Sequence, residues 1–133
     1  MIVEVRPHYP VVVMIIGVLE VLFAYPLFRK LVPPNWFYGF TTARVLNSSP
    51  VWYEVNRYYG RDMLLAGLFA VVVGGVLEWL HVPTQPLPVL AAIGVLVVPL
   101  VVIFVRATAY LRRTWNARVQ REGPSAGHSE ESI

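Results

Sequence analysis

The chain has 133 residues, of which 56% are hydrophobic and only 14% charged, with a formal net charge of +3. A soluble domain is about a quarter charged, so this composition excludes the ordinary soluble class and points to one small membrane domain. There is no cysteine, which excludes disulfides, thiolate catalysis and cysteine-ligated metals, and His8, His81 and His128 lie too far apart to match a ligand spacing.

The first apolar run is Pro10 to Phe28, the second Met63 to Leu80 and the third Leu87 to Val105. Each approaches the roughly 20 residues that cross a bilayer as a helix. Backbone polar groups must be satisfied inside lipid, so each run is expected to be helical. The first run is long for a signal peptide and no small-x-small cleavage site follows it, so it reads as a retained span. The stretch "HVPTQPLP" is short enough to make the last two spans an antiparallel hairpin.

Basic residues set the expected orientation. Arg29, Lys30, Arg44, Arg57 and Arg61 lie between spans one and two, and Arg106, Arg112, Arg113, Arg118 and Arg121 follow span three. Only Arg6 lies on the other side. The positive-inside rule then puts the N-terminus outside and the first loop and C-terminus in the cytoplasm.

The loop is the most informative stretch. Val32 to Gly60 holds eight of the seventeen aromatic residues. Pro33 and Pro34 stop the first helix, Trp36, Phe37, Tyr38 and Phe40 suit the membrane interface, and Gly39 suggests a tight turn or a positive φ. In "NSSP", Ser49 reads as an N-cap with Pro50 at the first helical position. Val51–Tyr59 reads as an interfacial helix with a bend at Gly60 before the second span. On it, Asn56 falls on the same face as Trp52, and Arg57 on the same face as Glu54.

The stretch "PPNWFYGFTTARVLNSSPVWYEVNRYYGR" resembles the signature of the SdpI family of small bacterial membrane proteins. Pro33, Pro34, Asn35, Tyr38, Gly39 and Phe40 match it in register. So do Thr42, Leu46, Asn47, Val51, Trp52, Asn56 and Gly60. Thr41 stands where that signature has arginine, and Ala43 where it has proline. Arg44, three residues on, is the nearest substitute for the missing arginine. The resemblance implies an all-α membrane protein of three transmembrane helices with an interfacial cytoplasmic loop and helix between the first two. Residues 1–115 form this SdpI-like domain, and 116–133 read as a disordered cytoplasmic tail. It also implies immunity to a membrane-active toxic peptide, and in some members the membrane tethering of a transcriptional regulator. Asn35, Tyr38, Gly39, Phe40, Arg44, Trp52, Asn56 and Gly60 are the candidate partner-binding residues.

Two acids fall inside the spans. Glu20 lies roughly 15 Å from the outer edge at 1.5 Å per residue, level with about Val72 and Leu96–Val97. None of these is a charged partner. Three outcomes stand open: a protonated structural acid, a contact with another protomer or protein, or a hydrogen bond to the Val95 carbonyl that Pro99 frees. Glu78 lies near the outer end, where it can reach water. It continues a stripe of Ala66, Ala70 and Gly74 that suits close helix packing. A toxic peptide or cytoplasmic regulator, a second copy of the chain and a larger membrane complex are the expected partners, beside the bilayer itself. In the alternative reading, the protein is an accessory subunit of such a complex. No nucleophile–base pair, cofactor motif or nucleic-acid patch stands out, so the expectation is a non-enzyme without cofactor or nucleic-acid partner.

Overall fold

The structure, a computed structural model, describes residues 8–83 and 85–122. It is built from α1 (Tyr9–Phe28), the single-turn α2 (Ala43–Leu46), α3 (Ser49–Trp79) and α4 (Pro86–Glu122). Three of these, α1, α3 and α4, are long and apolar enough to cross a membrane. The chain is an all-α, multi-pass membrane protein.

The long helices differ in reach. At 1.5 Å per residue, α1 is about 30 Å long, α3 about 46 Å and α4 about 55 Å. Only α1 matches the hydrocarbon thickness of about 30 Å. The excess of α3 and α4 lies at one end, with the loop between α1 and α3. There Phe40, Val45, Val51, Trp52, Val55, Ala107 and Leu111 form a core of their own. Trp52, Val45, Val51, Val55 and Asn56 are the largest fully buried side chains. The molecule is therefore a small packed headpiece on three apolar rods.

Three expectations need correction here. Val51–Tyr59 is not a separate interfacial helix, because α3 runs unbroken from Ser49 through Gly60 to Trp79. The α3 N-cap is Ser48 rather than Ser49: the Trp52 N–H already donates to the Ser48 carbonyl at 2.8 Å. The tail expected to be disordered from 116 is helical as far as Glu122. Its remainder, with His128, lies outside the described residues, as does Arg6.

Helix α1 ends before Pro33. Lys30 adopts φ 58°, the Leu31 N–H donates to Pro26 O at 2.9 Å and the Lys30 N–H to Leu27 O at 3.1 Å. This is a Schellman ending with lysine where glycine is usual. Helix α3 ends the same way at His81, with φ 52° and the Val82 N–H on Leu77 O. Neither stop is visible as a glycine in the sequence.

Helices α1 and α3 pack antiparallel along a glycine seam. Gly60, Gly67 and Gly74 recur every seven residues on α3 and meet Ala24, Gly17 and Pro10 of α1, which recur likewise. A Cβ on Gly67 would stand 2.7 Å from Gly17 O, and one on Gly60 would stand 2.7 Å from Phe28 N. Bare backbone on both sides is what lets the axes approach. The expected stripe was partly right. Ala70 is buried with Val13 and Ala92, and Gly74 lies in the seam, but Glu78 is exposed.

The seam also sets the register. It places Glu20 beside Gly67, about 3.0 Å from that residue's Cβ position, rather than level with Val72. Counting depth from the edges of apolar runs overlooks that α1 begins against Gly74 and ends against Gly60. Among the described residues no hydrogen bond joins Glu20 to Val95, and α4 continues helically through Pro99.

Candidate functional site

The site is best built from Asn56. One turn after Trp52 on α3, its side chain faces the loop and is 2% exposed. Its Oδ1 accepts from the Phe40 N–H at 2.6 Å, and its Nδ2 donates to Phe40 O at 3.3 Å and to Trp52 O at 3.1 Å. One carboxamide thus satisfies both backbone groups of a buried loop residue, as a neighbouring strand would. The Trp52 indole donates to Val32 O at 2.9 Å. Two side chains one helical turn apart hold both ends of the loop's first stretch.

The loop is shaped to meet them. Asn35 Oδ1 accepts from the N–H groups of Phe37 and Tyr38, and its Nδ2 donates to Pro33 O. This Asx-type turn reverses the chain. Gly39 has φ +100°, and a Cβ there would run into Asn56 Oδ1 and stand 3.0 Å from Leu27. Glycine is required for both reasons. The Tyr38 hydroxyl donates to the Phe23 carbonyl of α1. Burial pushes that phenol above its usual range. Phe40 inserts into the headpiece core between Tyr59 and Phe104.

Seven of the eight candidate loop residues therefore meet in one clasp: Asn35, Tyr38, Gly39, Phe40, Trp52 and Asn56, with Gly60 giving α1 its close approach. Arg44 does not join them. It is exposed, with its guanidinium 5.7 Å from the Trp115 ring centroid, so it does not stand in for the signature arginine within the clasp. The expected Arg57–Glu54 contact is also replaced. Arg57 lies over the Phe28 ring and Glu54 pairs with Arg118 at 3.8 Å.

Sequence reasoning missed Asp62, which is 5% exposed. Arg61 binds its Oδ1 at 3.0 Å, and Arg106 Nε lies 3.3 Å from Oδ2 without a directed hydrogen bond. Arg106 also donates twice to the Tyr58 hydroxyl, and Tyr58 stacks on Tyr110 of α4 at 4.4 Å. This cluster ties α3 to α4 at the base of the headpiece. The signal was available: Asp62 directly precedes the second apolar run and Arg106 directly follows the third, so an antiparallel hairpin puts them at one level. Arg106→Ala is expected to lower the unfolding temperature, because it strips a buried carboxylate of a charged neighbour. Thermal unfolding of the detergent-solubilised chain checks this. Arg106→Lys should recover part of the loss, since it keeps the charge but not the paired bonds to Tyr58.

Beside the clasp, a cavity of about 320 Å³ lies between α1, the loop and α3. Glu20, Phe23, Tyr38, Gly39, Tyr59 and Met63 are among its walls. The intramembrane acid and the signature loop thus share one space, while Glu78 lies at the far end of α3. Among the described residues there is no group of His, Cys, Asp or Glu that could hold a metal.

No curated protein and no solved structure matches the chain. A family model does, over residues 31–106, more than half of the length, beginning with the loop and ending at Arg106. The matched stretch contains the whole clasp and both partners of the Asp62–Arg106 pair, and the chain belongs to the SdpI/YfhL protein family.

Proposed function

We propose that this protein is an immunity protein of the bacterial cytoplasmic membrane. In this reading it protects its cell from a membrane-active toxic peptide, and its headpiece serves as a docking place for a cytoplasmic regulator. The N-terminus lies outside and the headpiece and C-terminus inside, as the ten-to-one distribution of basic residues favours. It acts by binding and not by catalysis. Family membership supports the reading. The observation that carries it is the clasp: a buried carboxamide and indole hold an aromatic loop rigidly at the foot of an apolar bundle. A mere connection between spans needs no such fixation.

The experiment is survival of a sensitive bacterial host under challenge with membrane-active toxic peptides. Hosts carry the wild type, Asn56→Ala or an empty vector, with insertion checked by membrane fractionation. Protection by the wild type alone supports the proposal. Equal killing of wild type and vector by every peptide, with the protein inserted, overturns it for those toxins. A second reading is an accessory subunit of a larger membrane complex. It is favoured by α4, most of whose membrane-crossing stretch faces outward, and it predicts co-purification with large membrane partners.

A further inference from the structure

The cavity beside the clasp has an unusual mixture of walls. Glu20 is its one acidic lining residue, and three aromatic rings, Phe23, Tyr38 and Tyr59, stand around the same space. Each ring packs against a neighbour. Phe23 and Tyr38 meet edge to face with centroids 6.0 Å apart, and Tyr59 rests on Phe40 at 5.9 Å. Ile16 and Leu19 continue the wall along α1 as plain hydrocarbon.

The two acids of α3 nearest the loop are matched by cations: Asp62 by Arg61 and Arg106, and Glu54 by Arg118. Among the described residues no ion pair reaches Glu20. An acid within a membrane span is costly and is expected to have a purpose. Aromatic faces attract a cation placed within about 6 Å of the ring, and most strongly when it is poorly hydrated. A carboxyl among aromatic rings is therefore complementary to an ammonium group, and best to an alkylated one. The volume is at the lower end of the roughly 300–1,000 Å³ of ligand pockets. It suits a head group and a little chain, not a folded peptide. Phe23 and Leu19 of its wall are 58% and 46% exposed on the apolar face of α1, which meets lipid. A ligand would thus enter from the lipid, with its tail remaining there.

We propose that this cavity binds the ammonium head of a single-chain amphiphile dissolved in the membrane. The Glu20 carboxylate pairs with the cation, the rings of Phe23, Tyr38 and Tyr59 enclose it, and the alkyl tail lies along Ile16 and Leu19. The inference does not depend on the immunity reading, since it follows from the walls of the cavity alone.

The test uses the full chain in phosphatidylglycerol nanodiscs, which carry no ammonium lipid, with radiolabelled dodecyltrimethylammonium as probe and empty discs subtracted. Saturable binding of one probe per chain is expected. Glu20→Gln should weaken it by about tenfold or more, Phe23→Leu severalfold, and unlabelled dodecyl sulfate should not compete. Binding no greater than to empty discs overturns the proposal, as does unchanged affinity in Glu20→Gln or equal competition by the sulfate. If Glu20→Gln fails to fold, Phe23→Leu decides, because its position is open to lipid and its ring is the part removed. Loss of probe binding when phosphatidylethanolamine is added to the discs would identify the occupant as a lipid head group and overturn the assignment to a free amphiphile.

Discussion

Replacing Asn56 by leucine is expected to destabilise the protein by about 2–5 kcal/mol. The substitution is close in volume, so little of the effect comes from packing. It comes from the Phe40 N–H and C=O, which lose their partner inside the headpiece core, where Phe40 and Asn56 are 4% and 2% exposed. Each buried backbone group left unpaired costs about 1–3 kcal/mol. The Trp52 carbonyl is a smaller matter, because the helix supplies it a donor already. The loss can be read by unfolding of the detergent-solubilised chain. It should also be visible locally: Arg44 is an exposed residue of α2, whose Val45 packs in the same core as Phe40, so trypsin should cut there sooner in the variant. Unchanged stability together with unchanged cleavage at Arg44 would mean that Asn56 does not hold the loop.

Gly67→Val is expected to be comparably severe, for a different reason. Its Cβ would fall 2.7 Å from Gly17 O and 2.9 Å from Val21 Cγ2. The first of these is backbone and cannot rotate away, so α1 and α3 must separate along much of the seam. A loss of about 3 kcal/mol, the upper end of ordinary overpacking costs, is the expected result. Gly75 is the control. A Cβ there meets nothing within 4 Å, so Gly75→Ala should be neutral or stabilising by about 0.5–1 kcal/mol through reduced backbone freedom. Unfolding in mixed micelles would order the two variants. Equal stability of the pair would refute the seam as the contact that fixes α1 on α3.

These two positions also show what the sequence could reveal. The three spans were legible because hydrocarbon thickness dictates a length and lipid forbids unpaired backbone, and both leave their mark on composition. The loop signature was legible as spacing, and Gly39 even as a backbone conformation. The partner of each residue was not. Asn56 on the Trp52 face was expected, but a residue interval cannot show that its amide pairs with Phe40, sixteen residues earlier. The continuity of α3 was hidden because its first turns are polar enough to look like a surface helix. They are in fact packed in the headpiece, where tertiary burial replaces lipid as the apolar environment. The helix register was hidden too. Apolar runs mark where lipid begins, while the seven-residue recurrence of small side chains marks where helices touch, and only the latter places Glu20 beside Met63 and the loop.

The clasp has a consequence for the order of events during synthesis. Val32, Tyr38 and Phe40 leave the ribosome before Trp52 and Asn56 exist. Until the first turns of α3 have formed, the Val32 carbonyl and both backbone groups of Phe40 lack the partners that Trp52 and Asn56 supply, and must be hydrated. The segment is thus held out of the bilayer by its own unmet hydrogen bonds, and enters its final place only when α3 begins to wind. A chain whose second span inserts on the wrong side cannot close its loop, because Asn56 and Trp52 then lie across the membrane from Phe40 and Val32.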